Sequence, residues 1–290
     1  MLRDQPIDLA DESFTIYVPT QPSESGYSLL VFLPPWEGAV VPLGWQGVLE
    51  RHHMIFVSAD RSGNDEDISK RREPLAILAA VNVMARYRVD ADHVYVGGFS
   101  GGSRVALRVA VAYPDLFRGA LLNAGSDAIG NSTFPLPPSD LFARFQESSE
   151  LVYLTGENDE ASVGNDADSI ASMRKWCVFG VHAEALPHTG HSPATPDELD
   201  RALNTLSRHA LSDPERLRSC RQHVEQARMQ LFGQVDRSLA SGSLRNAQGL
   251  IQDIDVQYGG LSAPEINTLQ RRLEELLKKA RSGDVPAKAE

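Results

Sequence analysis

The stretch Val94-Tyr-Val-Gly-Gly-Phe-Ser100-Gly-Gly-Ser103 contains the pattern G-x-S-x-G as Gly98-Phe99-Ser100-Gly101-Gly102. An apolar run precedes it and a helical pattern, Arg104 to Tyr113, follows, so the serine falls at a strand-to-helix corner. A corner that sharp presses its flanking positions against neighbouring backbone, which is where glycine is required. It would lift the Ser100 hydroxyl above the carboxyl edge of a sheet. The Gly101 N–H, at the helix start, would then face a developing oxyanion.

A serine hydroxyl is too weakly acidic to attack unaided, so a base and an orienting acid are needed. The run Leu151 to Thr155 ends in Gly156-Glu157-Asn158-Asp159, which places Asp159 just beyond a strand. Asp159 is the favoured acid, ahead of Glu157, Asp166 and Asp168, although an aspartate there also suits the N-cap of a following helix. The run Val181 to Leu186 leads into His188-Thr-Gly190-His191-Ser-Pro193, and His191 is the favoured base with His188 its rival. His52, His53, His93, His182, His209 and His223 lie in contexts that suit packed or solvated histidines. The chain has no H-E-x-x-H, no C-x-x-C, no G-x-x-x-x-G-K-[ST] and no G-x-G-x-x-G. Neither metal catalysis nor nucleotide-cofactor chemistry is therefore expected.

These residues need a scaffold, and the pattern up to about residue 210 supplies one. Short apolar runs at Ser28–Leu33, Met54–Ala59, Val94–Gly98, Ala120–Leu122, Leu151–Thr155 and Val181–Leu186 alternate with helical stretches such as Glu73–Arg86. Such alternation predicts an α/β fold, a doubly wound and mostly parallel sheet with helices on both faces.

After Leu211 the strand signal vanishes and three helices are predicted. The first opens at Ser212-Asp-Pro-Glu215, spaces Leu217, Cys220, Val224, Ala227 and Leu231 by three and four, and is expected to stop at Gly233. The second runs from Leu244 to Tyr258. The third opens at Ser262-Ala-Pro-Glu265 and carries Ile266, Leu269, Leu273, Leu276 and Ala280, with SGDVPAKAE expected to fray. The expected division is a catalytic domain over 1–211 and a helical hairpin or three-helix bundle over 212–290. Its apolar stripes suit an internal core or, failing that, a seam for a second copy or a partner protein.

The 290 residues are 42% hydrophobic and 23% charged, with a net charge of -11. Residues 1–211 hold 16 Lys+Arg against 28 Asp+Glu, while 212–290 are close to neutral with basic residues crowded on the last helix. A field of that sign repels nucleic acid and anionic membrane. No apolar stretch approaches the length of a membrane span, and the charged start MLRDQPIDLADESF does not read as a signal peptide. As written the chain reads as cytoplasmic; a removed leader would make it secreted or periplasmic. The two cysteines, Cys177 and Cys220, fit a reducing compartment and could at most form one bridge.

The chain order Ser100, Asp159, His191 is that of the α/β-hydrolases. The segment Arg86-Tyr-Arg-Val-Asp90 through Gly102, continued by Ala112-Tyr-Pro114-Asp-Leu-Phe117-Arg-Gly119-Ala, resembles the poly(3-hydroxybutyrate) depolymerase and feruloyl or acetyl-xylan esterase group. The opening Phe14-Thr-Ile-Tyr17-Val-Pro19, followed by Leu29 to Pro34, is similar to that group's first strands, so the likeness covers about residues 12 to 208. It implies a serine carboxylic-ester hydrolase without a cofactor, acting on a small-molecule or carbohydrate-linked ester.

Where the group usually carries His-Gly, this chain has Pro34-Pro35-Trp36-Glu37, so the second oxyanion N–H would come from Trp36. Phe99 and Phe134, with Trp36, could wall an acyl or aromatic pocket. The loop from Gly125 to Pro138 is too short and polar for an apolar helical lid. Two other readings stand beside the esterase: a serine peptidase using the same triad, and a degenerate hydrolase serving as a scaffold through its helices.

Overall fold

The computed structural model describes residues 7–208 and 213–282; the expected boundary at 211/212, His209 and the closing stretch from Gly283 lie outside them. Seven strands, β1 (Phe14–Tyr17), β2 (Tyr27–Leu33), β3 (Met54–Ala59), β4 (Val89–Phe99), β5 (Gly119–Asn123), β6 (Glu150–Gly156) and β7 (Val181–Leu186), form one sheet. Their order is β1-β3-β2-β4-β5-β6-β7. Only the edge strand β1 runs antiparallel to its neighbour.

The alternation of side chains along β2 shows how the layers separate. Leu29, Val31 and Leu33 point into one apolar cluster, while Leu30 and Phe32 point into another. The second cluster is closed by α1 (Trp45–Arg51) and α6 (Pro196–Leu206), whose Trp45, Val48, Leu199 and Leu203 are buried there. The first is closed by α2 (Glu73–Arg86), α3 (Gly101–Ala112), α4 (Ser139–Ser148) and α5 (Glu160–Lys175). Helix α2 matches the expected span residue for residue, and its broad apolar stripe buries Leu75, Leu78 and Val83.

The remaining helices are α7 (Pro214–Ala240), α8 (Leu244–Tyr258) and α9 (Ala263–Ser282). Gly233 does not end the first of them. A glycine without a left-handed φ only weakens a helix interior, and α7 continues to Ala240, with Gly242 (φ +75°) making the turn. The expected stripe drifts accordingly: Ala227 is exposed, while Phe232, Val235 and Leu239 are buried. These side chains join Ile251, Ile254, Tyr258, Ile266 and Leu273 in the same cluster that holds Phe142, Phe145 and Trp176 of the sheet-bearing body. The stripes thus form an internal core shared with the body. Cys177 and Cys220, whose pairing the sequence left open, form a disulfide between the segment after α5 and α7. None of the described helices is long and apolar enough to cross a membrane.

Candidate active site

The end of β4 delivers Ser100 into an unusual backbone state, φ 55° and ψ -123°. Side chains rarely occupy this region without surrounding restraint. The restraint is visible: Ser100 N donates to Asn123 O on the adjacent β5 at 2.9 Å. A Cβ on Gly98 would lie 2.3 Å from the Gly102 carbonyl carbon, and one on Gly102 would lie 1.9 Å from Leu33 O. Both pattern glycines are therefore demanded by backbone contact, as expected for the corner.

The hydroxyl faces a base. His191 Nε2 lies 2.8 Å from Ser100 Oγ, and His191 Nδ1 lies 2.5 Å from Asp159 Oδ2. A carboxylate on Nδ1 selects the tautomer that carries its proton there, leaving the Nε2 lone pair for the serine proton. Asp159 Oδ1 also accepts from Ser162 N at 3.2 Å, so the residue N-caps α5 while its other oxygen faces His191. Burial opposes its charge, but hydrogen bonds from Ser162 and His191 together outweigh burial and hold the carboxyl below the ordinary aspartate range.

The rivals are engaged elsewhere. Glu157 accepts from the His188 backbone N–H, Asp168 is exposed on α5, and buried Asp166 accepts from Ser126 Oγ and Thr155 Oγ1. Burial raises the Asp166 carboxyl above its ordinary value despite those two donors. His188 contributes its backbone rather than its ring to that contact. His52, His93 and His182 pair with Asp200, Asp90 and Glu150, while His53 and His223 bond carbonyl oxygens. Among the described residues no cluster of three or more His, Cys, Asp or Glu is arranged to hold a metal.

Sequence reasoning missed the residues that hold the histidine loop. Asn123, 1% exposed at the end of β5, accepts from Ala194 N at 2.7 Å and donates to Leu154 O at 3.2 Å. Trp45 Nε1 donates to Ala194 O at 2.8 Å. The loop carrying His191 is thus tied to β5, through it to β6, and to α1.

The N–H groups expected to face an oxyanion are those of Gly101 and Trp36. Among the described residues neither Gly101 N nor Trp36 N donates to another backbone group. Buried Arg72 bridges the loops after β2 and β3: its Nε donates to Ser62 O at 2.8 Å and its Nη2 to Pro34 O at 3.0 Å. Asn64 N donates to Pro35 O at 3.0 Å, and Arg61 N to Glu37 O at 2.7 Å. The Pro-Pro-Trp turn is therefore held on both sides. Neither Arg72 nor Asn64 belongs to a recognisable motif.

The aromatic residues divide. Phe99 packs between His191 and Trp36, with ring centroids 4.9 Å and 6.0 Å away, and so flanks the relay. Phe134 is not brought to the site. Asn131 Oδ1 accepts from Thr133 N and Phe134 N, which folds the loop inward and seats the ring beneath Arg108, 4.7 Å from its guanidinium carbon. Arg108 lies two turns along α3 from Ser100, so Phe134 belongs to the helical side of the core and not to a pocket at the serine.

No protein-family model matches the chain. Over 168 residues it is 44% identical to the "Putative esterase NocK" of Nocardia uniformis subsp. tsuyamanensis, a match covering 51% of this chain and 43% of that protein. The chain spans less than half the length of this curated relative. Among solved structures, a ferulic acid esterase superposes with a TM-score of 0.53 at 17% identity, over 68% of this chain and 92% of its own. An acetyl xylan esterase from Aspergillus awamori gives 0.51 at 13%, over 67% and 94%. An S-formylglutathione hydrolase from Staphylococcus aureus gives 0.50 at 11%, over 68% and 91%. The sheet order, the serine corner and these superpositions agree: the chain has the α/β-hydrolase fold.

Proposed function

We propose that this protein is a serine carboxylic-ester hydrolase working through an acyl-enzyme. The observation that carries the reading is the continuous relay from Ser100 Oγ through His191 to Asp159, at 2.8 and 2.5 Å, mounted on a strained strand-to-helix corner. Ser100 Oγ attacks the ester carbonyl as His191 Nε2 takes its proton. The tetrahedral oxyanion accepts from the N–H groups of Gly101 and Trp36. Its collapse breaks the carbonyl–alkoxy bond, and His191 returns the proton to the leaving alcohol. Water, deprotonated by the same imidazole, then cleaves the acyl-serine to release the acid and restore the hydroxyl. Asp159 keeps the imidazole in the required tautomer and stabilises it while it is cationic.

The substrate is a small or carbohydrate-linked ester, a reading that the names of the esterases sharing the fold support. The disulfide favours an oxidising compartment, the secreted or periplasmic alternative, over the cytoplasm. Ser100→Ala should lower turnover of p-nitrophenyl acetate by at least about 10³-fold without changing the melting temperature. Turnover at the wild-type rate would sink the assignment.

A further inference from the structure

The pattern G-x-S-x-G leaves its fourth position free, yet this chain places glycine there too. The structure supplies a reason. A Cβ on Gly101 would lie 2.1 Å from Asn64 Oδ1, 2.8 Å from its Cγ and 3.0 Å from its Nδ2. The amide of Asn64 thus occupies the space that a Cβ at 101 would take, and would have to move aside for one. Asn64 is nevertheless an exposed residue, reaching from the loop after β3 over the start of α3. Its amide lies beside the backbone that bears the nucleophile.

The orientation of that amide follows from Arg72. Arg72 is 3% exposed, and its Nη1 lies 3.4 Å from Asn64 Oδ1. A guanidinium has donors only, so it favours the oxygen of the amide on its own side and turns Nδ2 away. Standard geometry puts the Gly101 nitrogen about 2.5 Å from its Cβ position, so Nδ2 lies within about 5.5 Å of that nitrogen. Two donors up to about 5.8 Å apart can share one acceptor at ordinary hydrogen-bond length.

We infer that Asn64 is a catalytic residue, its Nδ2 donating to the oxyanion beside the Gly101 and Trp36 N–H groups, and that Arg72 is the positioning residue that sets its amide. The inference rests on the esterase reading only in its use of Ser100 as nucleophile. It accounts for the fourth-position glycine and for a buried arginine that bridges two loops through their carbonyl oxygens. It also gives a chain whose oxyanion turn is Pro-Pro-Trp one more donor than the backbone alone provides.

The test uses Asn64→Asp and Asn64→Ala in the full chain, read by the rate of Ser100 labelling with a fluorophosphonate and by kcat and KM on p-nitrophenyl acetate. Asn64→Asp keeps an acceptor for Arg72 but loses the donor and adds a charge, while Asn64→Ala loses the donor without adding one, so a fall in both variants separates the donor from charge repulsion and from loop structure. The expected result is a labelling rate and kcat lower by about 10- to 100-fold in both variants, with KM within about twofold. Gly101→Ala should cost less activity in the Asn64→Ala background than alone, because the space has been vacated. Labelling of Asn64→Asp at the wild-type rate would overturn the proposal. Wild-type protein that labels at Ser100 but cleaves no ester would overturn the esterase reading and leave the labelling comparison to decide the role of Asn64.

Discussion

Asp159 performs two tasks with two oxygens, one capping α5 and one facing His191. Asparagine caps helices as well as aspartate does, so Asp159→Asn should leave the fold intact. It would present the imidazole with an amide in place of a carboxylate, losing the preference for the working tautomer. A fall in kcat of about 10³- to 10⁴-fold is expected, with KM little changed, in steady-state assays of the purified variant. The pH dependence has a definite sign. The folded-state carboxyl is held below its ordinary value, so the stability it contributes is fully present above the unfolded value, about 3.9, and is lost as pH falls through the lower folded value. Denaturant titrations of wild type and Asp159→Asn should therefore differ above about pH 4 and converge as pH falls below it. A gap that persisted unchanged at about pH 2 would contradict this.

Strands and loops set how far the site could be read in advance. Ser100, Asp159 and His191 each follow their own strand within a few residues, so local sequence suffices to nominate them. Helix α2 was equally legible, because fourteen residues of apolar periodicity from Glu73 to Arg86 leave little choice. The short helix α1 was not, with only seven residues and Gly47 inside it. Arg72, Asn64 and Asn123 were invisible for a different reason: each acts by joining loops from separate strands, and no local spacing records that neighbourhood. Phe134 misled because sequence proximity to the sheet's carboxyl edge says nothing about the Asn131 turn that folds it away. Asn123 gives the element-scale prediction. Asn123→Ala removes the acceptor for Ala194 N, and hydrogen exchange of the backbone from 188 to 194 should quicken while β4 and β5 stay protected. With the imidazole less firmly held, kcat should fall about tenfold, and unchanged exchange in that loop would exclude the anchoring role.

At the scale of the whole molecule, the sequence divides into an acidic body and a near-neutral helical segment. The structure shows a closer union. Trp176 meets Tyr258 edge to face at 5.4 Å, Arg216 lies 3.9 Å over the Phe179 ring, and Arg221 bonds Gln146, Glu147 and Ala143 O of α4. The disulfide closes this contact across a sequence separation of 43 residues. On the chain-entropy account such a loop contributes about 4 kcal/mol at most, by restricting the unfolded chain. Helix α5 runs from Glu160, next to Asp159, to Lys175 beside Cys177, and its 16 residues span about 24 Å. The bridge therefore sits at the end of the sheet away from Ser100. Reduction, or the pair of changes Cys177→Ser and Cys220→Ser, should lower the melting temperature by roughly 5–10 °C, because the remaining apolar and ionic contacts keep the helices docked. Ester turnover at 25 °C should stay within about twofold of the oxidised protein. Calorimetry and a turnover assay on the same samples separate the two effects: a loss of kcat with no change in melting temperature would mean that the clamp acts on the site rather than on the union of helices and sheet.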